Sequence, residues 1–192
     1  KYQTDIQRQY EKLNGYVYTE PYDIEYERNG VLTYDRRDKI FGYEDVAYGG
    51  DMSIIDLNQP NYVGVDIDPA LKAAPGSQYT APVVAMNWSG ETLENPVLKW
   101  RFDATDIYGN YITTGKSGEV PMDFAPYTRE QHDISFSLPS QKCVGTFTVW
   151  IENNGEKIAK NFVNVIVTNG KDTAPVSILT EDSAVLRQAA AD

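Results

Sequence analysis

Glu20, Asp23, Glu25 and Glu27 fall within eight residues, interleaved with Tyr16, Tyr18, Tyr22 and Tyr26. These residue types suit sugar chemistry. A tyrosine ring offers an apolar platform with a polar edge, and a carboxylate accepts strong hydrogen bonds from hydroxyls. Hydrolysis of a glycosidic bond needs two carboxyl groups, about 5–5.5 Å apart in retaining enzymes and further apart in inverting ones. Taken alone, the cluster reads as a solvated acidic loop. If Tyr16–Glu20 is a strand, Tyr16, Tyr18 and Glu20 share one face. Glu20 then stands at the C-terminal end of that strand, where barrel enzymes place functional groups.

Other reactive residues are sparse. His132 is the sole histidine and precedes an alternating strand with no nucleophile motif beside it, so a structural role is expected. Cys143 has only Lys142 nearby to lower its pKa and reads as a small buried hydrophobe. One cysteine and one histidine do not make a zinc site of the usual kind. Asp103, Asp106 and Asn110 echo part of a calcium loop but lack its spacing and terminal glutamate, and Asp66 with Asp68 fails in the same way. Gly49-Gly50 precedes no Lys-Ser/Thr and is no phosphate loop. No cofactor and no metal are expected.

Three regions would position these groups. In residues 1–60, Tyr2, Ile6, Tyr10 and Leu13 recur at helical spacing, and Gly15 suits the end of that helix. Tyr16–Thr19 reads as a short strand ended by Pro21, and Asp23–Arg28 as a helical turn closed by Asn29-Gly30. Helix, glycine, strand and acidic loop form an α/β pattern. In residues 61–170, strands are expected at Tyr62–Ile67, Tyr79–Trp88, Pro96–Asp103, Tyr111–Thr114, His132–Leu138, Val144–Glu152 and Ile158–Thr168. Turn signals separate them, the strongest being Asn154-Gly155. Leu98, Trp100 and Phe102 alternate with polar residues, as do Ile134, Phe136 and Leu138. Short strands with one wet and one dry face predict a mainly β chain, an immunoglobulin-like antiparallel β-sandwich. Residues 171–192 read as a linker, Asp172–Pro175, followed by a tail or the start of another domain.

The 192 residues carry a net charge of -11, and no basic stripe suits nucleic acid or an anionic membrane. No apolar run approaches the roughly 20 residues needed to cross a bilayer. A start without methionine, close to a helical pattern, suggests a mature or excised piece. The single cysteine rules out an internal disulfide but leaves the compartment open. The setting weakly favoured is periplasmic or secreted and bacterial.

The run from Gly15 to Arg36, with Lys39 after it, resembles the end of the catalytic barrel in glycoside hydrolase family 2, which includes β-galactosidases, β-glucuronidases and β-mannosidases. The matching positions are Gly15, Tyr18, Thr19, Glu20, Asp23, Glu27, Asn29, Gly30, Asp35, Arg36 and Lys39. The resemblance implies a (β/α)8 barrel with two catalytic glutamates, one after the fourth strand and one after the seventh. Tyr16–Glu20 would be the eighth strand, so both catalytic glutamates would precede Lys1. The sandwich would be an accessory domain behind an incomplete α/β segment. In an intact parent, Tyr18, Glu20, Asp23 and Glu27 would be substrate-binding residues on the pocket floor, and a carbohydrate would be the substrate. Tyr18 stands where the family often has tryptophan, and the Asn-Lys pair of glucuronide-selective members is not evident around Arg28–Gly30.

Two functions from different classes therefore compete. One is an accessory fragment of a retaining β-glycosidase, inactive alone. The other is a non-catalytic immunoglobulin-like module binding carbohydrate or protein, with Trp88 and Tyr108 as aromatics in or near turns. An incomplete barrel end is expected to be irregular, to pack on the sandwich, or to self-associate with a second molecule.

Overall fold

The computed structural model describes residues 1–41, 52–66 and 70–169. Gly49-Gly50, Asp68, the Asp172–Pro175 linker and the tail after it lie outside the described residues.

Alternating apolar residues build two facing sheets. The five-stranded sheet contains β4 (Ala70–Ala73), β6 (Pro96–Asp106), β7 (Tyr111–Pro121), β9 (Cys143–Asn153) and β10 (Glu156–Val167), in the order β4-β10-β9-β6-β7. The three-stranded sheet runs β3 (Asn61–Val65), β5 (Gln78–Asn87), β8 (Thr128–Ser137). β3-β5-β8 facing β6-β9-β10 is the A-B-E against C-F-G arrangement of immunoglobulin-like sandwiches. All pairs are antiparallel except β4 beside β10, which is parallel. Asn154 and Gly155 both adopt positive φ at the β9–β10 hairpin, as the Asn-Gly signal requires.

The core between the sheets is aromatic. Trp100 and Phe147 from one sheet meet Phe136 from the other, with ring centroids 5.1 and 5.5 Å away, and Tyr79 meets Phe136 edge-on at 5.3 Å. Phe102, Phe147, Val149 and Ile151 are fully buried. Gly145 makes room for this stack, since a Cβ there would lie 2.0 Å from the Phe102 ring.

The three-stranded sheet is also covered on part of its outer face. β2 (Met52–Ser53) and a one-turn helix supply Met52 and Leu57, which pack on Tyr62, Val84, Met86 and Phe162. This explains why the end of β5, Val83 to Asn87, is buried on both sides and does not alternate. β2 itself pairs with β1 (Ile40–Phe41).

The N-terminal region departs from expectation. The helix α1 is shorter than its periodicity suggests, spanning Tyr2–Gln9. Its stripe is inverted: Tyr2, Ile6, Tyr10 and Leu13 are exposed, whereas Thr4, Asp5 and Gln9 are buried. Residues 16–20, expected as a barrel strand, form no strand. Sheet hydrogen bonding needs a neighbouring strand, and here the Glu20 carbonyl takes one bond, from the Val31 amide at 3.1 Å, which is too little for a ladder. Asp23–Arg28 is not helical; Ile24 and Glu27 exchange backbone bonds across a tight turn, and Tyr22 bridges to Leu32. The described region is thus a mainly β sandwich, and the barrel remnant finds no support in it.

Candidate functional site

The acidic segment folds into a loop whose grip comes from Asp23. Its Oδ1 accepts a bond from the Gly30 amide at 3.0 Å and one from Lys39 Nζ at 2.5 Å. Lys39 also donates to the Arg28 carbonyl. Gly30 presses on the chain before Asp23, where a Cβ would lie 2.1 Å from the Tyr22 carbonyl carbon, so only glycine fits. The Lys39 ammonium, outweighing the effect of burial and aided by the Gly30 amide, holds the Asp23 carboxyl below its usual pKa. Asp23 is therefore occupied in holding the loop closed. Tyr18 is half-exposed, and its hydroxyl donates to the Asn29 carbonyl at 2.7 Å.

Glu27 and Asp23 lie close enough to Glu20 for their charges to act on it. Burial, then the Glu27 carboxylate, raise the Glu20 pKa, with Asp23 adding to the effect. The loop thus gathers Tyr18, Glu20, Asp23 and Glu27 into one neighbourhood.

Away from this loop the other candidates lie within the sandwich. His132 Nε2 contacts Glu130 at 2.9 Å on the same strand. Cys143 is buried, and burial pushes its thiol pKa up. Asp106 Oδ1 accepts the Tyr108 and Asn110 amides, and Oδ2 accepts the Asn110 side chain, which caps the β6–β7 turn. Asp103 pairs with Arg101 and accepts from Tyr111.

The sequence reading misses a buried polar junction between α1 and the sandwich. Asp5 Oδ1 accepts from the Tyr62 hydroxyl at 2.8 Å and from Asn161 Nδ2 at 2.7 Å, while Gln9 Nε2 donates to Tyr62 at 2.9 Å. Gly64 clears space for it, because a Cβ there would lie 2.2 Å from the Tyr62 oxygen. The available signal is the second i, i+4 stripe on the helix, Lys1, Asp5 and Gln9, set beside the apolar one.

Beside this junction, the chain after α1 and the end of β5 enclose a cleft of about 570 Å³. Arg8, Tyr10, Leu13, Tyr16, Trp88 and Arg129 line it. Arg129 pairs with Glu11 at 3.1 Å, and Arg8 donates to the Gln59 carbonyl. The Tyr16 hydroxyl bonds Asn58.

No protein-family model and no curated protein matches the sequence. In structure the chain is distantly similar to a putative β-galactosidase from Bacteroides fragilis, with 13% identity and a TM-score of 0.38 over 56% of this chain and 16% of that one. A glycosyl hydrolase family 2 member from Bacteroides cellulosilyticus aligns at 14% identity and a TM-score of 0.33, over 56% of this chain and 14% of that one. The CARDB domain of a Pyrococcus furiosus protein, solved with di-metal ions, aligns at 12% identity and a TM-score of 0.35, over 56% of this chain and 89% of that one.

Proposed function

We propose that this chain is the accessory, non-catalytic part of a retaining β-glycosidase, carrying the end of the catalytic barrel ahead of an immunoglobulin-like sandwich. The carrying observation is the interlock of the motif residues: Tyr18 reaches Asn29, and Asp23 holds Gly30 and Lys39. These residue types recur at these spacings in the family that the segment resembles, and here they close on one another as one folded unit. In the intact parent, a carbohydrate substrate would be hydrolysed by two glutamates preceding Lys1. Tyr18, Glu20, Asp23 and Glu27 would then shape the floor of the pocket. The sandwich serves as a rigid support, with α1 fastened to it by buried polar bonds.

The test compares the 192-residue chain with a longer parent on chromogenic β-glycosides. The chain alone is expected to show no turnover, and the parent to lose it when either upstream glutamate becomes glutamine. Turnover by the chain alone, abolished by Glu20→Gln or Glu27→Gln, would overturn the reading.

A further inference from the structure

Asn87 ends β5 with its side chain fully buried and ties two loops together. Its Nδ2 donates towards the carbonyls of Glu91, Phe124 and Ala125 at 2.8, 3.1 and 3.2 Å. Its Oδ1 accepts the amide and hydroxyl of Ser89. One residue thus fixes the turn bearing Trp88 and the loop leading to Tyr127. The Trp88 amide is bonded in turn to the Pro60 carbonyl at 3.0 Å.

The rings carried by these fixed backbones face solvent. Trp88 is 48% exposed and Tyr127 67% exposed. Their centroids are 6.2 Å apart with planes inclined by 49°, an open aromatic corner. Tyr127 has a φ of 59°, in the left-handed region that a bulky residue seldom adopts. Its hydroxyl lies against Gly90, where a Cβ would come within 2.9 Å. Two large apolar rings are therefore held out rigidly, at a conformational cost, where burial would ordinarily take them in.

The corner adjoins the cleft of about 570 Å³, within the usual range of about 300–1,000 Å³ for a small-molecule site. Its rim mixes donors and acceptors: the guanidinium groups of Arg8 and Arg129, the Glu11 carboxylate and the Asn14 amide. Glu11 is 72% exposed in its pair with Arg129, so it remains accessible as an acceptor. A purely apolar ligand would strip these groups of water without replacing their hydrogen bonds. A pyranose ring satisfies both halves, with its C–H face on an aromatic ring and its hydroxyls on the rim.

We propose that this corner and cleft form a saccharide-binding site, with Trp88 as the stacking face, Tyr127 as the side wall and Arg129 with Glu11 as hydroxyl partners. The site is separate from the acidic loop and does not depend on hydrolysis by a parent enzyme.

Calorimetric titration of the 192-residue chain with neutral and uronate-containing β-linked oligosaccharides tests it. Saturable binding without turnover is expected, weakened about tenfold or more by Trp88→Ala and by Tyr127→Ala. Both variants should keep the wild-type melting profile, because the rings they remove are exposed. Of the three tryptophan indole N–H resonances, that of Trp88 should move most on saturation. Absence of binding across the panel would overturn the proposal, as would binding that both variants leave intact. A dimer that Trp88→Ala dissociates would likewise assign this face to a second copy of the chain instead.

Discussion

Between its sheets the chain buries Phe102 and Phe147 in ring contact with Phe136, whereas helix α1 meets the same sandwich through Asp5 and Gln9, which bond Tyr62 and Asn161. The first kind of contact is non-directional and scales with apolar area. The second has little net value when complete and a large cost when broken. The apolar clusters of the sandwich therefore take no side chain from α1. Helix α1 in turn is placed by directional polar bonds, with Tyr2 and Ile6 left facing outward.

The sharpest way to expose the division is to damage the stronger half. Phe147→Ala empties a site at the centre of the aromatic stack and should cost about 3–5 kcal/mol in denaturant unfolding. The whole sandwich should lose stability in one transition. A loss below about 1 kcal/mol would mean that the core collapses into the space, and that the stack matters less than its burial implies.

Damage to the polar junction should be smaller and local. Asp5→Ala leaves the Tyr62 hydroxyl without its acceptor and removes one of the two acceptors of Asn161 Nδ2. A cost of about 1–3 kcal/mol is expected at the junction. Trypsin should cut sooner at Arg8 and Lys12, while the melting of the sandwich shifts less than in Phe147→Ala. If both variants lower the sandwich melt equally, the two regions form one cooperative unit and the contrast fails.

The sandwich was legible because its strands alternate. Leu98, Trp100 and Phe102 could face one way only if Pro96–Asp106 were extended, and Ile134, Phe136 and Leu138 say the same of β8. Where alternation is absent, so is the signal. β4 has four residues and is held by its parallel partner β10, not by its own pattern. β7 runs on to Pro121 through polar residues because its partner β6 supplies the bonds. On α1 the periodicity correctly gave a helix but pointed to the wrong face. Two stripes at i, i+4 were present, and choosing between them required Tyr62 and Asn161, which lie 57 and 156 residues from Asp5. The acidic loop was legible as a set of residue types. That Asp23 spends its carboxylate on Gly30 and Lys39 was not, because it depends on chain reversals that no local period encodes.

The smallest effect isolates that loop from both larger structures. Asp23 has its pKa lowered in the folded chain, so its contribution is present above its ordinary value of 3.8 and is lost as pH falls through the folded value. Glu20 has the opposite sign. Its raised pKa means that the folded loop holds the proton more tightly, so stability falls as pH rises from the ordinary 4.5 through the folded value. The Gly30 amide resonance, bonded to Asp23, should follow the first event by NMR, with a midpoint below 3.8. Lys39→Met should move that midpoint up, and Glu27→Gln should move the Glu20 midpoint down towards 4.5, leaving the sandwich resonances still. Should the Gly30 midpoint stay put in Lys39→Met, the ammonium is not what holds Asp23. The interlock that ties this loop to the proposed barrel end would then lose its central contact.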